Sequence, residues 1–293
     1  MTEPELLVEA RSYRQPPVPM TDVPHLVITP SKRWVALDLR SLWMFRDLLY
    51  FLTWRDVKIR YKQTALGVAW AVLQPLLTMV IFTLFFGRVA KISSNGHPYP
   101  VFAFAGLLPW TFFANAITNS GTSLVNNSAL ISKVYFPRLI MPSAAMLAGL
   151  VDLSVSLVLM FGLAAYYGVG MSWNVLALPA LILLTMLLAL AVGLFFAALN
   201  VKYRDVRYAL PFLVQLAMFA TPIIYPLSLV PKQWRWALVL NPMSGLVEGF
   251  RVALLGGQFD VPALALAAAI TLILLTAGAY YFRAVERSFA DLI

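Results

Sequence analysis

One carboxylate lies deep inside an apolar run: Asp152, in LAGLVDLSVSLVLMF. Lipid does not solvate an acid, so such a residue faces a bundle interior or a water-filled cavity. It could relay protons or hydrogen-bond a neighbouring helix. A relay needs further acids or histidines along its path, and the two histidines, His25 and His97, are far away in sequence. A second charged group is the run Arg55, Asp56, Lys58, Arg60 and Lys62, which leads directly into apolar sequence. A third is Glu248 and Arg251, three apart and able to pair on one helix. Catalytic chemistry is hard to build from the rest. Without cysteine, disulfides and thiolate metal sites are excluded. No G-x-x-x-x-G-K-[ST] loop, H-E-x-x-H or G-x-S-x-G motif occurs. The expectation is a chain with no catalytic, cofactor or metal site.

The elements that position these groups belong to a membrane protein. Of 293 residues, 61% are hydrophobic and 12% charged, with a mean hydropathy of +0.79. A soluble domain carries about 25% charged residues. The net charge of +9 does not indicate nucleic acid, because the cations lie between apolar runs rather than on a polar domain. No short apolar core with a cleavage site opens the chain, so no removed signal peptide is expected.

Residues 1–30 are polar and proline-rich and read as a flexible cytoplasmic tail. Ser31 is a candidate N-cap for an amphipathic interface helix over 31–63, with Leu42, Phe45, Leu49 and Leu52 at helical spacing. Within it, Trp54 and Tyr61 suit the headgroup boundary. The charges of residues 54–62 fit a simple stop at the membrane surface. They also fit a helix that receives force from a soluble partner.

Six spans follow in a domain over 64–293, each near the ~20 apolar residues a bilayer requires. They are expected at 66–89, 101–125, 140–167, 175–199, 209–225 and 263–282. Cations crowd before the first span and recur at Lys133, Arg138, Lys202, Arg204, Arg207, Arg283 and Arg287. The opposite side holds only Arg88, Lys91, Lys232, Arg235 and Arg251. The imbalance places both termini in the cytoplasm.

Two connections are more than turns. In the cytoplasmic one, 126–142, Ser128 could cap a short helix across Ile131 and Val134 that Pro137 stops. It reads either as a docking knob or as a tight loop on the membrane. The external one, 221–262, is apolar but broken by Pro222, Pro226, Pro231 and Pro242. Asn241 then Pro242 fits N-cap and N1; Leu246, Phe250 and Leu254 share a face; Gly256 and Gly257 end the helix. This predicts two short helices dipping into the outer leaflet beside a pathway. Among many aromatics, Trp70, Phe212, Phe219 and Tyr225 are the candidates for a lining against which sugar rings slide.

The phrases LWMFRDLLYFLTWRDVKIRYKQTALGVAWAVLQP, GLLPWTFFANAI, LISKVYFPRLIMP, LNVKYRDVRYALPFLVQ, TPIIYPLSLVP and NPMSGLVEGFR occur in that order. From about Leu42 onward the chain resembles the type-2 permeases of ATP-binding-cassette exporters for bacterial cell-surface polysaccharides: O-antigen, capsule and teichoic acid. The resemblance implies a homodimer with two copies of a separate ATPase, which would hold ATP and magnesium. It implies coupling to that partner through Arg55, Asp56, Lys58, Arg60, Ser132, Lys133, Tyr135 and Arg138. Asn241, Pro242, Glu248 and Arg251 would belong to an external gate, and the cargo would be a lipid-linked glycan leaving the inner membrane. The proline-rich tail departs from the family's shorter members. Alternatives of other cargo or class are an exporter of a drug or small lipid, an ion- or proton-coupled carrier built around Asp152, and a structural anchor. The carrier would need more intramembrane charge, and an anchor has no need of an external gate.

Overall fold

A computed structural model describes residues 43–62, 68–170, 172–286 and 289. Among the described residues every regular element is helical. The expected tail, Ser31 and the first third of the expected interface helix lie outside them.

Helix α1 (Arg46–Lys62) has Asp47 in its first turn and Arg60 and Lys62 in its last, both favourable to the helix dipole. Phe45, Leu48, Leu49 and Leu52 turn inward at helical spacing, whereas Trp43, Tyr50, Phe51, Trp54 and Ile59 are exposed. Helix α2 (Val68–Phe82) contains Pro75 and widens into a π-helical stretch, Thr83–Val89. Helix α3 (Tyr99–Asn126) is the buried centre, touching α2 and most of the later helices. Among the described residues the remaining α-helices are α4 (Ser128–Lys133), α5 (Ile140–Tyr166), α6 (Leu178–Lys202), α7 (Val206–Phe219), α8 (Lys232–Val239), α9 (Pro242–Leu255) and α10 (Val261–Glu286).

Packing follows the alternating topology. One buried cluster gathers Leu52, Leu124, Phe136, Ile140, Leu194, Val201 and Phe282, all from ends expected to be cytoplasmic. A larger cluster includes Tyr99, Leu178, Ile223 and Met243 from the opposite ends. Helices α6 and α10 approach closely because Gly278 has no side chain; a Cβ there would lie 2.5 Å from the Ala191 carbonyl oxygen. Small residues at such crossings let helices pack where no hydrophobic effect drives them together.

Among the described residues, five helices are long and apolar enough to cross a membrane: Val72–Val89, Tyr99–Asn126, Ile140–Tyr166, Trp173–Lys202 and Val261–Glu286. These agree with the expected spans to within a few residues. The expected span at 209–225 does not form as one helix. Helix α7 has only 14 residues and stops at Phe219, because Pro222 cannot donate to a helical ladder and constrains the residue before it. Among the described residues, a sixth crossing is reached if α8 and α9, bent by 89° to one another, count as one broken span. In the 126–142 connection, the N-cap of α4 is Asn127 rather than Ser128, and neither side chain caps it. The Asn127 amide donates instead to the Ser123 carbonyl, 2.8 Å away. The short helix stops at Lys133, with Val134 already extended.

Candidate functional site

Asp152 lies halfway along α5 and is answered from α1. The Arg60 guanidinium forms an ion pair with one carboxylate oxygen, and the Tyr61 hydroxyl donates to the other. The contacts form a bond between helices, and the Tyr61 hydroxyl is turned to Asp152. Burial, and then the bond to Asp152, push the Tyr61 phenol well above its usual range, so it remains a donor. Of the other charges on α1, Arg55 pairs with Asp56 at 2.7 Å, both half-buried. Lys58 is exposed, its ammonium 5.5 Å from the centre of the Trp54 ring.

At the same end, Ser132, Lys133 and Tyr135 are exposed around an open cleft of about 410 Å³, which Phe136, Arg138 and Phe289 complete. Arg138 is turned to the chain's own C-terminal segment. It donates to the Glu286 carbonyl and lies 5.7 Å from the centre of the Phe289 ring, itself fully buried. Thus Ser132, Lys133, Tyr135 and Lys58 are open to a partner, while Arg60 and Arg138 act inside the chain.

The opposite end holds the break between α7 and α8, where backbone leaves the helix beside apolar sequence. Irregular backbone in that setting needs polar partners. Arg251, 3% exposed on α9, supplies two: it donates to the carbonyls of Pro222 at 2.8 Å and Ile223 at 2.5 Å. It also bonds Glu248 at 3.2 Å and stacks 3.9 Å over the Phe102 ring. The Tyr99 hydroxyl donates to the next carbonyl, Ile224, at 2.9 Å. Asn241 closes the other side, donating to the Thr221 hydroxyl at 2.9 Å while accepting from the Met243 N–H at 3.0 Å as the N-cap of α9, with Pro242 at its start. Leu246, Phe250 and Leu254 are buried, and Gly256 ends the helix at φ +88°. Arg251 and Tyr99 therefore hold the three carbonyls of the break, and Asn241 fastens it through the Thr221 side chain. Tyr99, Phe102 and Thr221 carry no local signal of this role in the sequence.

The aromatic candidates separate. Trp70 on α2 is 55% exposed, and Phe212 and Phe219 on α7 are 62% and 55% exposed, on one face with Leu216. Tyr225 instead packs half-buried against the core within the break. Among the described residues, no group of three His, Cys, Asp or Glu side chains could hold a metal ion.

Fold and sites together define a multi-pass, all-helical membrane protein in which Asp152 ties α5 to α1 and Arg251 ties α9 to the broken backbone after α7. Residues 47–255 match the ABC-2 type transporter family, and the chain belongs to it. It is 32% identical to the O-antigen export system permease protein RfbA of Myxococcus xanthus, over 87% of this chain and 98% of that protein. It is 30% identical to an RfbA of Klebsiella pneumoniae, over 84% and 95% respectively. The polysialic acid transport protein KpsM of Escherichia coli is 26% identical over 80% of this chain and 92% of its own length.

Proposed function

We propose that this chain is the membrane subunit of an ATP-driven exporter that moves a lipid-linked polysaccharide, most simply of O-antigen type, across the bacterial inner membrane. The observation that carries this is near end-to-end similarity to O-antigen export permeases, joined to a chain without a phosphate-binding loop. Energy would come from a separate ATPase holding ATP and magnesium. The exposed Ser132, Lys133, Tyr135 and Lys58 support docking of that partner on the end where both termini are expected. The exposed faces of α2 and α7 support a homodimer, with Trp70, Phe212 and Phe219 turned toward a second copy and the glycan path between the copies. The stitched break and the bent α8–α9 pair would form the external gate.

Capsule export is the second reading, favoured by the similarity to KpsM. Native mass spectrometry of the gently extracted complex tests both. Two permeases, two phosphate-loop ATPases and a bound glycolipid are expected, and the glycan's composition separates O-antigen from capsule. Absence of any ATPase under conditions that preserve membrane complexes would overturn the assignment.

A further inference from the structure

We propose that Arg60 and Asp152 are positioning residues of the coupling route, joining α1 to the middle of α5 so that the two move as one body. The proposal rests on the reading of this chain as an ATP-driven permease. Two partner-facing elements lead to the same helix. The 126–142 connection runs directly into α5, while α1 is separated from it by 92 positions at the ion pair. Helix α1 meets this unit at two levels. Leu52 shares a buried cluster with Phe136, Leu139 and Ile140 at the start of α5. Arg60 and Tyr61 then hold Asp152, about 18 Å further along α5 at the rise of a helix.

Apolar packing along α1 already holds it against α5. The half-buried ion pair fixes where along α5 it sits, because sliding α1 would leave a carboxylate and a guanidinium unpaired in apolar surroundings. Tyr61 fills the second carboxylate oxygen, so the acid is satisfied only when α1 is in place. Displacement of either α1 or α4 is thereby delivered to the same helix.

The test uses chromosomal variants of the full chain, with surface polysaccharide extracted and its sugars quantified, and ATP hydrolysis followed on the purified complex. Asp152→Asn and Arg60→Gln are expected to lower surface polysaccharide by roughly tenfold while hydrolysis continues. The exchange of both charges, Arg60→Asp with Asp152→Arg, is expected to recover most of the export. A purely structural bond would lower hydrolysis, export and membrane protein level together, and that outcome overturns the proposal. So does wild-type export in either single variant. If the single variants fail to accumulate, the exchanged pair decides: present in the membrane without export, it overturns the proposal. Gene deletion without loss of surface polysaccharide would instead sink the exporter reading, and this proposal with it.

Discussion

The Arg251 guanidinium occupies the space that a side chain at position 106 would need. A Cβ on Gly106 would lie 2.8 Å from Nη2 and 3.3 Å from the Ile223 carbonyl oxygen. Glycine on α3 is therefore what lets an arginine on α9 reach the broken backbone after α7. Gly106→Ala is expected to push the guanidinium off one or both carbonyls, a loss of about 1–3 kcal/mol. Thermal unfolding of the detergent-purified protein checks this. An unchanged melting temperature would mean that the arginine can relax without releasing its carbonyls.

The three consecutive carbonyls make a graded series. Arg251→Met removes donors to Pro222 and Ile223 together and leaves Glu248 without its partner. Arg251→Lys retains charge but not the planar fork, so it should behave almost as badly. Tyr99→Phe removes only the bond to Ile224 and should be milder, about 1–2 kcal/mol. The order Met, then Lys, then Tyr99→Phe should hold in melting temperature. A benign Arg251→Lys would show that charge, rather than geometry, holds the break.

What was legible in the sequence was local. Asn241 before Pro242, Glu248 three residues before Arg251, and Gly256 at a helix end are patterns within one or two helical turns, and α9 forms as they specify. The long apolar spans are equally local, since length and hydropathy suffice. Arg60 and Asp152 stand 92 positions apart, and Tyr99 and Ile224 stand 125 apart. No periodicity encodes such meetings, so Arg60 read as a surface charge and Tyr61 as an interfacial aromatic. The overextended fifth span has a different cause: hydropathy continues through Ile223 and Ile224, while the backbone obeys Pro222.

Asn241 does two jobs that substitution can separate. Its side-chain oxygen caps α9, and its amide nitrogen bonds Thr221 across the break. Asn241→Asp keeps the cap and loses the donor; Asn241→Ala loses both, with the cap alone worth about 1 kcal/mol. Melting should place Asp between wild type and Ala. If Asp matches wild type, the bond to Thr221 contributes nothing to holding the break.

The outer face of α7 is the sharpest test of a second copy. Only Val206 and Leu210 of this helix are buried, while Phe212, Leu216 and Phe219 form an exposed apolar row. Lipid would tolerate that row as well as a protein partner would, so exposure alone does not distinguish them. Substitution by polar but uncharged residues does. Phe212→Gln with Phe219→Gln is costly against lipid, where an amide finds no partner, and would then reduce insertion. At an interface lining a wet glycan path the amides are solvated, so the protein should insert normally. Its oligomer and its export should then change. Membrane level, cross-linked dimer yield and surface polysaccharide, measured on the same cells, are the readouts. Normal insertion with lost export and reduced dimer yield supports a path between two copies. Lost insertion places the row against lipid and removes Phe212 and Phe219 from the conduit.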